Sequence, residues 1–496
     1  MKKTAKIWMV RVEPTSAPQL NQPLGFMYLA SALRKAGFTN LRIIDMAVNG
    51  VGLHELASQC RTHDPDVIAF TVYTVDVSRV NQVGSALKGV CPNAVFVIGG
   101  PHVTGAPVAA MQSLTFADFA CVGEGEETFV ELMLALRDAT DLTTIKGLVW
   151  RSKDRSIVMN PPRKPSETLD EDLFPAYDLI RIEQYFTYRR MGGLYKYREY
   201  MSLFTSRGCP YSCVFCHRIF GRVYRAFSAE RVLDEMEYLW SKHGIKEFQI
   251  VDDLFNGDRK RFQAILNGIL ERNIKVSLCF PNGLRADALD REHISLLSEA
   301  GTFRVCVAPE TASKRLQKQI QKNVDLDRLE QVIEWLDEKD IIASGFFMLG
   351  FPSETEEEMD ATIKWALNSR LHTANFYRVL PNPGTELRDY LDALGLCPPY
   401  DWSVYEAHGT PINLSSVPDK VLEKKHRDAY RAFYSSPRRL FRLAQILPVQ
   451  VEMLPEYTYE FVMRTIFGTL GTHVLSKGVR FLLTRATRRE NHSETL

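Results

Sequence analysis

Apolar positions in the first 150 residues switch repeatedly between two periods. Ile7 to Val12, Leu41 to Asp45, Val67 to Tyr73, Ala94 to Ile98 and Phe116 to Val122 are short runs rich in β-branched and aromatic residues, and they read as strands. Between them, Leu24 to Ala36, Val51 to Arg61, Val77 to Val90 and Glu127 to Arg137 carry apolar residues at helical spacing, and Gly37 stops the first. This alternation predicts parallel strands joined by helical crossovers, a doubly wound α/β domain over residues 1–150. Ligands of such sheets bind at the carboxyl ends of the strands. The corresponding tips are Thr71-Val72-Tyr73-Thr74, Gly99-Gly100-Pro101-His102 and Gly123-Glu124-Gly125-Glu126. Their glycines admit a ligand close to the backbone or simply serve tight turns, and spacing alone leaves both readings open. A G-x-G-x-x-G fingerprint after the first strand and a P-loop are both absent.

Residues 151–195 read as a linker, broken by Pro161, Pro162, Pro165 and Pro175 and acidic from Glu167 to Asp172. Tyr200 to Thr205 is strand-like again, and a helical pattern begins near Ser228. Between them lies Ser206-Arg207-Gly208-Cys209-Pro210-Tyr211-Ser212-Cys213-Val214-Phe215-Cys216. A loop after a strand is where a barrel of parallel strands carries its chemistry. Nine cysteines in 496 residues are too few and too unevenly spaced for a disulfide scaffold. Six are isolated and read as small buried hydrophobes, whereas Cys209, Cys213 and Cys216 are crowded together. Three thiolates at C-x3-C-x2-C can hold three irons of one cluster, or a zinc, or act as redox thiols. A structural zinc wants a fourth ligand, and no second Cys or His pair has suitable spacing; His217 adjoins Cys216 too closely to turn onto the same metal. An unfilled metal position suits catalysis, because a substrate can bind there.

Composition narrows the class further. With 45% hydrophobic and 24% charged residues the chain is globular, and at 496 residues two to four domains are expected. The net charge of +1 gives no argument for nucleic-acid binding. No apolar run reaches a bilayer-spanning length: Ile341 to Phe351 is interrupted by Ser344, Gly345 and Gly350. No signal-peptide core follows the basic start, so a cytoplasmic protein is expected.

The C-x3-C-x-aromatic-C loop resembles the hallmark of the radical S-adenosylmethionine (SAM) superfamily, and further matches follow in order. Phe248 to Asp253 ends in two carboxylates, Asp252 and Asp253, at the position that in the family helps hold the methionine amino group of SAM. An acidic pair can accept hydrogen bonds from an ammonium, although Asp253 also suits a helix N-cap. Asn282-Gly283-Leu284-Arg285 resembles the next strand end, and the resemblance implies that Arg285 faces the SAM carboxylate or a substrate. It implies that Glu310, in Val307-Ala308-Pro309-Glu310, lies near the ribose, although Ala308-Pro309 is less polar than in relatives, and that Phe215 packs beside a nucleobase. Gly350-Phe351-Pro352-Ser353-Glu354-Thr355 and Asn375 to Leu387 resemble the later strands. These matches imply a partial barrel of six β/α units over 196–390 and a helical C-terminal region over 391–496.

The first domain is similar to the cobalamin-binding domain of the cobalamin-dependent class of these enzymes, through Gly99-Gly100-Pro101-His102 and Gly123-Glu124-Gly125-Glu126. Ala429 to Tyr434 and Pro437-Arg438-Arg439 are also similar to that class. The implied cofactors are a 4Fe-4S cluster on Cys209, Cys213 and Cys216, SAM, and cobalamin held by Thr71, Tyr73, Gly99, Gly100, His102, Gly123, Glu124 and Gly125. The D-x-H-x-x-G motif of other cobalamin enzymes is missing, so the implied cobalamin is base-off, with no protein histidine on cobalt and His102 as a turn residue near the corrin. The implied chemistry is methylation of an unactivated carbon in a small or hydrophobic substrate by a 5′-deoxyadenosyl radical and methylcobalamin. Two readings compete: an oxidative cyclase acting on a tetrapyrrole, and a non-catalytic metal-binding module. A reducing partner such as flavodoxin or ferredoxin is expected, and no nucleic acid. Arg464 to Arg489 holds six Lys/Arg and no Asp/Glu among apolar residues. It reads either as a packing helix with a solvated basic face or as a helix lying on an anionic membrane, the latter favouring a lipid substrate.

Overall fold

A computed structural model describes residues 4–14, 20–170, 174–188, 190, 193–397, 412–448 and 458. The basic stretch from Arg464 to Arg489 lies outside the described residues. Among the described residues no helix is long and apolar enough to cross a membrane.

The first sheet contains β1 (Ile7–Arg11), β2 (Leu41–Asp45), β3 (Val67–Thr71), β4 (Val95–Gly99), β5 (Phe119–Cys121), β6 (Leu148–Arg151) and β7 (Ile157–Met159). Their order is β2-β1-β3-β4-β5-β6-β7, with β1 to β5 parallel. Both faces are covered, which explains why Val67–Thr71 and Val95–Gly99 are nearly continuous apolar runs. Ile7, Met9, Val67, Ala69 and Val97 face one core, while Trp8, Val10, Ile68, Phe70, Phe96 and Ile98 face another. The strand order reverses between β1 and β3, and a ligand crevice opens outside the carboxyl ends at such a switch point.

β6 and β7 were not foreseen. They pair antiparallel with β5 and with each other, so this sheet runs to Met159 through residues that read as linker. The hairpin covers the open edge of β5, and Asn160 Nδ2 donates to the Leu142 and Ile145 carbonyls, fixing the strand's exit.

The second sheet contains six parallel strands: β8 (Tyr200–Leu203), β11 (Glu247–Ile250), β12 (Ser277–Phe280), β13 (Thr302–Glu310), β14 (Ile342–Leu349) and β15 (Thr373–Arg378). A two-stranded ribbon, β9 (Ser206–Arg207) with β10 (Arg225–Ala226), closes the cysteine loop. Helices Ala229–His243, Arg259–Glu271, Arg291–Glu299, Leu326–Glu338 and Glu356–Asn368 alternate with the barrel strands. Each starts at a side-chain cap: Ser228, Asp258, Asp290, Asp325 or Thr355. The cap after β11 is Asp258, which leaves Asp253 free of that role.

An open barrel has two strand edges that need covering. On β8, Gln22 of the first domain bridges the Tyr200 carbonyl and the Ser202 N–H, both at 3.2 Å. On β15, the helix Asp419–Tyr434 presents two tyrosine hydroxyls. Tyr430 takes the Phe376 N–H and donates to the Phe376 carbonyl, both at 3.0 Å. Tyr434 does the same for Ala374, at 3.1 and 2.9 Å.

Candidate functional site

The carboxyl ends of the two sheets face one cavity of about 440 Å3. From the first domain its wall takes Arg11, Thr71, Tyr73, Gly99, Gly100, Gly123, Glu124 and Gly125; from the barrel it takes Ser202, Phe204, Arg207, Phe220, Val251, Asp253 and Asn282. Seven of the eight residues expected to meet a ligand in the first domain therefore stand together. His102 does not line the cavity. Its side chain is buried, its Nδ1 lies 3.2 Å from Thr74 Oγ1, and burial pushes its pKa down to about 4.

Glycine is required at Gly100. Its φ is +100°, and a Cβ there would stand 2.8 Å from Thr71 Oγ1 and 3.0 Å from Val72 N. At Gly123 a Cβ would meet open space, so the backbone there is bare. Gly100 thus serves the packing of the turn, and Gly123 leaves bare backbone on the cavity wall.

The cysteine loop is built on the ribbon. Gly208, at φ +82°, passes within 2.2 Å (Cβ position to oxygen) of the Val223 carbonyl, a contact no side chain tolerates. Its N–H donates to Asp253 Oδ2 at 3.2 Å, and Cys209 N–H donates to the Gly221 carbonyl at 3.2 Å. Val214 is pinned on both sides, its N–H to Ile320 O and its carbonyl to Leu387 N–H. The Phe215 ring meets Phe351 edge-on at 5.7 Å. All three thiols are free. Burial raises the Cys209 and Cys213 pKa values, with the Cys213 charge and Asp253 also raising Cys209. Metal binding must therefore expel protons from these thiols. Among the described residues no three His, Cys, Asp or Glu side chains converge on a point fit for one ion. Three sulfurs that each hold a different iron of one cluster have no such need.

The polar residues around the loop divide into those engaged by protein and those open to the cavity. Asp252 is buried and accepts from Thr205 N–H, Thr205 Oγ1 and Ser206 Oγ, each at 2.6 Å. It fixes the turn from β8 to β9 and does not line the cavity. Among the described residues Asp253 takes only the Gly208 N–H, and it opens onto the cavity; burial in the surrounding protein pushes its carboxyl up to about 6, with Asp252 adding to the rise. Arg285 is engaged by protein as well. Its guanidinium binds Asp287, the Lys322 carbonyl at 3.1 Å and the Asn323 carbonyl at 3.0 Å, and it lies 4.3 Å from the Tyr211 ring centre. It braces the cysteine loop and does not line the cavity. Glu310, at φ +61°, receives Lys322 Nζ at 3.0 Å. Lys322 is a cation that the sequence did not single out, and its charge favours the thiolate of all three cysteines. Glu124 is likewise engaged, by Arg207 and Arg225.

A B12 binding domain model matches residues 14–133, and a Radical SAM superfamily model matches residues 203–366. An uncharacterized methyltransferase of Pyrococcus horikoshii, PH0819, is 31% identical over 434 residues, covering 87% of this chain and 91% of its own. The chain belongs to the cobalamin-dependent radical SAM enzymes. The anaerobic magnesium-protoporphyrin IX monomethyl ester cyclase of Rubrivivax gelatinosus is 25% identical over 369 residues, 74% of this chain and 65% of its own. The structure of the radical SAM methyltransferase TsrM from Kitasatospora setae, with cobalamin and a 4Fe-4S cluster bound, superposes with a TM-score of 0.67 at 18% identity. It covers 88% of this chain and 90% of that one, which shows the shared fold.

As a member of this class the enzyme uses a 4Fe-4S cluster, SAM and cobalamin. Its own residues fit them. Three free thiols on one loop are soft donors suited to iron. Asp253 opens onto the cavity, where a carboxylate suits an ammonium, and the bare backbone at Gly123 lets a large ligand come close. A non-catalytic module is excluded by this membership.

Proposed function

We propose that this enzyme is a methyltransferase that acts on an unactivated carbon of a small or hydrophobic substrate. The observation that carries the reading is the shared cavity: Asp253 and Asn282 of the barrel and the Gly99-Gly100 and Gly123 turns of the first domain wall the same space. Bound there, the cofactors supply a hydrogen-abstracting radical and a transferable methyl group. The protein binds, orients and excludes water: Phe204, Ile219, Phe220, Val251 and Phe129 give the cavity an apolar wall in which a carbon radical meets few competing donors. The 31% likeness to a methyltransferase along nearly its whole length also supports methyl transfer. Electrons reach the cluster from a flavodoxin- or ferredoxin-type reductant. The test is product analysis with methyl-labelled SAM and candidate substrates under reducing, anaerobic conditions. A product carrying the labelled methyl is expected; ring closure with no label incorporated would overturn the reading in favour of a cyclase.

A further inference from the structure

The two domains meet through a buried group of four charges beside the cavity. Arg207 is the residue before Gly208-Cys209, and Arg225 is its register partner on the other strand of the ribbon, so the pair brackets the cysteine loop. Both reach across to the Gly123-Glu124-Gly125-Glu126 turn of the cobalamin domain. Arg207 Nη1 donates to Glu124 Oε2 and its Nη2 to Glu126 Oε1, each at 2.8 Å. Arg225 binds both oxygens of Glu124, one of them at 3.1 Å. The arginine side chains are 4% exposed and those of Glu124 and Glu126 are 12% and 20%. Burial alone would weaken the Arg207 charge, yet Glu126 and Glu124 outweigh it and hold its pKa above the usual value. Arg207 also lies over the Tyr28 and Phe220 rings, which restrict its movement. In so dry a setting neither side can let go without stranding a charge.

We infer that Arg207 and Arg225 are positioning residues that make the cysteine loop and the cobalamin-facing turn order together, so that cobalamin and SAM bind cooperatively. Glu124 and Glu126 flank Gly125 on the cavity wall, so a cofactor that orders this turn fixes the acceptors of Arg207 and Arg225. The ribbon then holds the cysteine loop in place before SAM arrives, and the cost of ordering is met once for both ligands. This inference rests on the two cofactor sites and is independent of which group the enzyme transfers.

Anaerobically reconstituted cluster protein is titrated with SAM, with and without saturating hydroxocobalamin, for the native chain, Glu124→Gln, Glu126→Gln and Arg207→Lys. In the native protein cobalamin is expected to tighten SAM by at least about fivefold, and SAM must tighten cobalamin by the same factor. Glu124→Gln, which removes the carboxylate shared by both arginines and leaves only the Arg207–Glu126 arm, lowers the factor most. Glu126→Gln and Arg207→Lys retain more of it, because Arg225 keeps Glu124. Hydrogen exchange of residues 206–226 gives a readout that needs no cluster. Cobalamin slows it in the native chain and slows it less in Glu124→Gln. If Glu124→Gln does not fold, a reduced factor in Glu126→Gln decides the matter. Native-like coupling in the variants, or both cofactors binding the native protein without mutual effect, overturns the inference. Failure of the native protein to bind either cofactor would instead overturn the cofactor assignment.

Discussion

Asp253→Asn removes one negative charge while keeping the shape of the side chain and an acceptor for the Gly208 N–H. Among the described residues the carboxylate has no cationic side-chain partner; it faces the cavity and takes only that backbone donor. A hydrogen bond to a charged group contributes about 1.5–3 kcal/mol, so the variant should bind SAM about 10- to 150-fold more weakly. Iron and sulfide content should not change, because Asp253 touches the loop and not its sulfurs. The carboxyl titrates at about 6, raised by the surrounding protein. Native SAM affinity should therefore fall as pH drops through about 6, and the variant should be flat across the same range. Stability moves the other way. An acid whose folded pKa lies above its unfolded value binds protons preferentially in the folded state, so stability falls as pH rises from about 4 to about 6. Without cofactors, Asp253→Asn should thus melt higher than the native chain at pH 8, with the difference shrinking below pH 6. Anaerobic equilibrium dialysis from pH 5 to 8 and thermal melts provide both readouts. Equal pH slopes for the two proteins, or an unchanged SAM affinity in the variant, would refute the assignment of Asp253 to the ammonium.

Three further outcomes are expected. Cys213→Ala should fail to retain a 4Fe-4S cluster and to cleave SAM, as measured by iron content and deoxyadenosine formation. Gly100→Ala forces a Cβ to 2.8 Å from Thr71 Oγ1 at φ +100°. Cobalamin retention after gel filtration should drop while SAM cleavage stays measurable. Tyr430→Phe leaves the Phe376 N–H without an acceptor while its carbonyl keeps His426 Nε2 at 2.8 Å, so a loss of about 1–3 kcal/mol is expected, which denaturant unfolding of the cofactor-free chain would show.

The elements that the sequence announces are those whose signal is local. Val67–Thr71 and Val95–Gly99 are apolar on both faces because helices cover both, and the cysteine spacing is itself the chemistry. The hairpin of β6 and β7 was hidden because its partner is the edge of β5 and not a neighbour in a repeating strand–helix unit. Asp252 and Asp253 are adjacent carboxylates with no difference in composition; only the turn from β8 to β9 decides that Thr205 and Ser206 occupy the first. The partners of Arg285 at residues 322 and 323 are likewise set by the packing of a later loop, which local sequence does not show. Arg207 and Arg225 carried no signal, because their carboxylate partners lie more than 80 residues upstream.

The central claim is that Cys209, Cys213 and Cys216 hold three irons and leave the fourth to SAM. Mössbauer spectra of protein reconstituted with 57Fe, recorded before and after SAM addition, test it directly. One iron site in four should change its isomer shift and quadrupole splitting while three stay constant. Four unchanged sites, or a protein that takes up no iron, would contradict it.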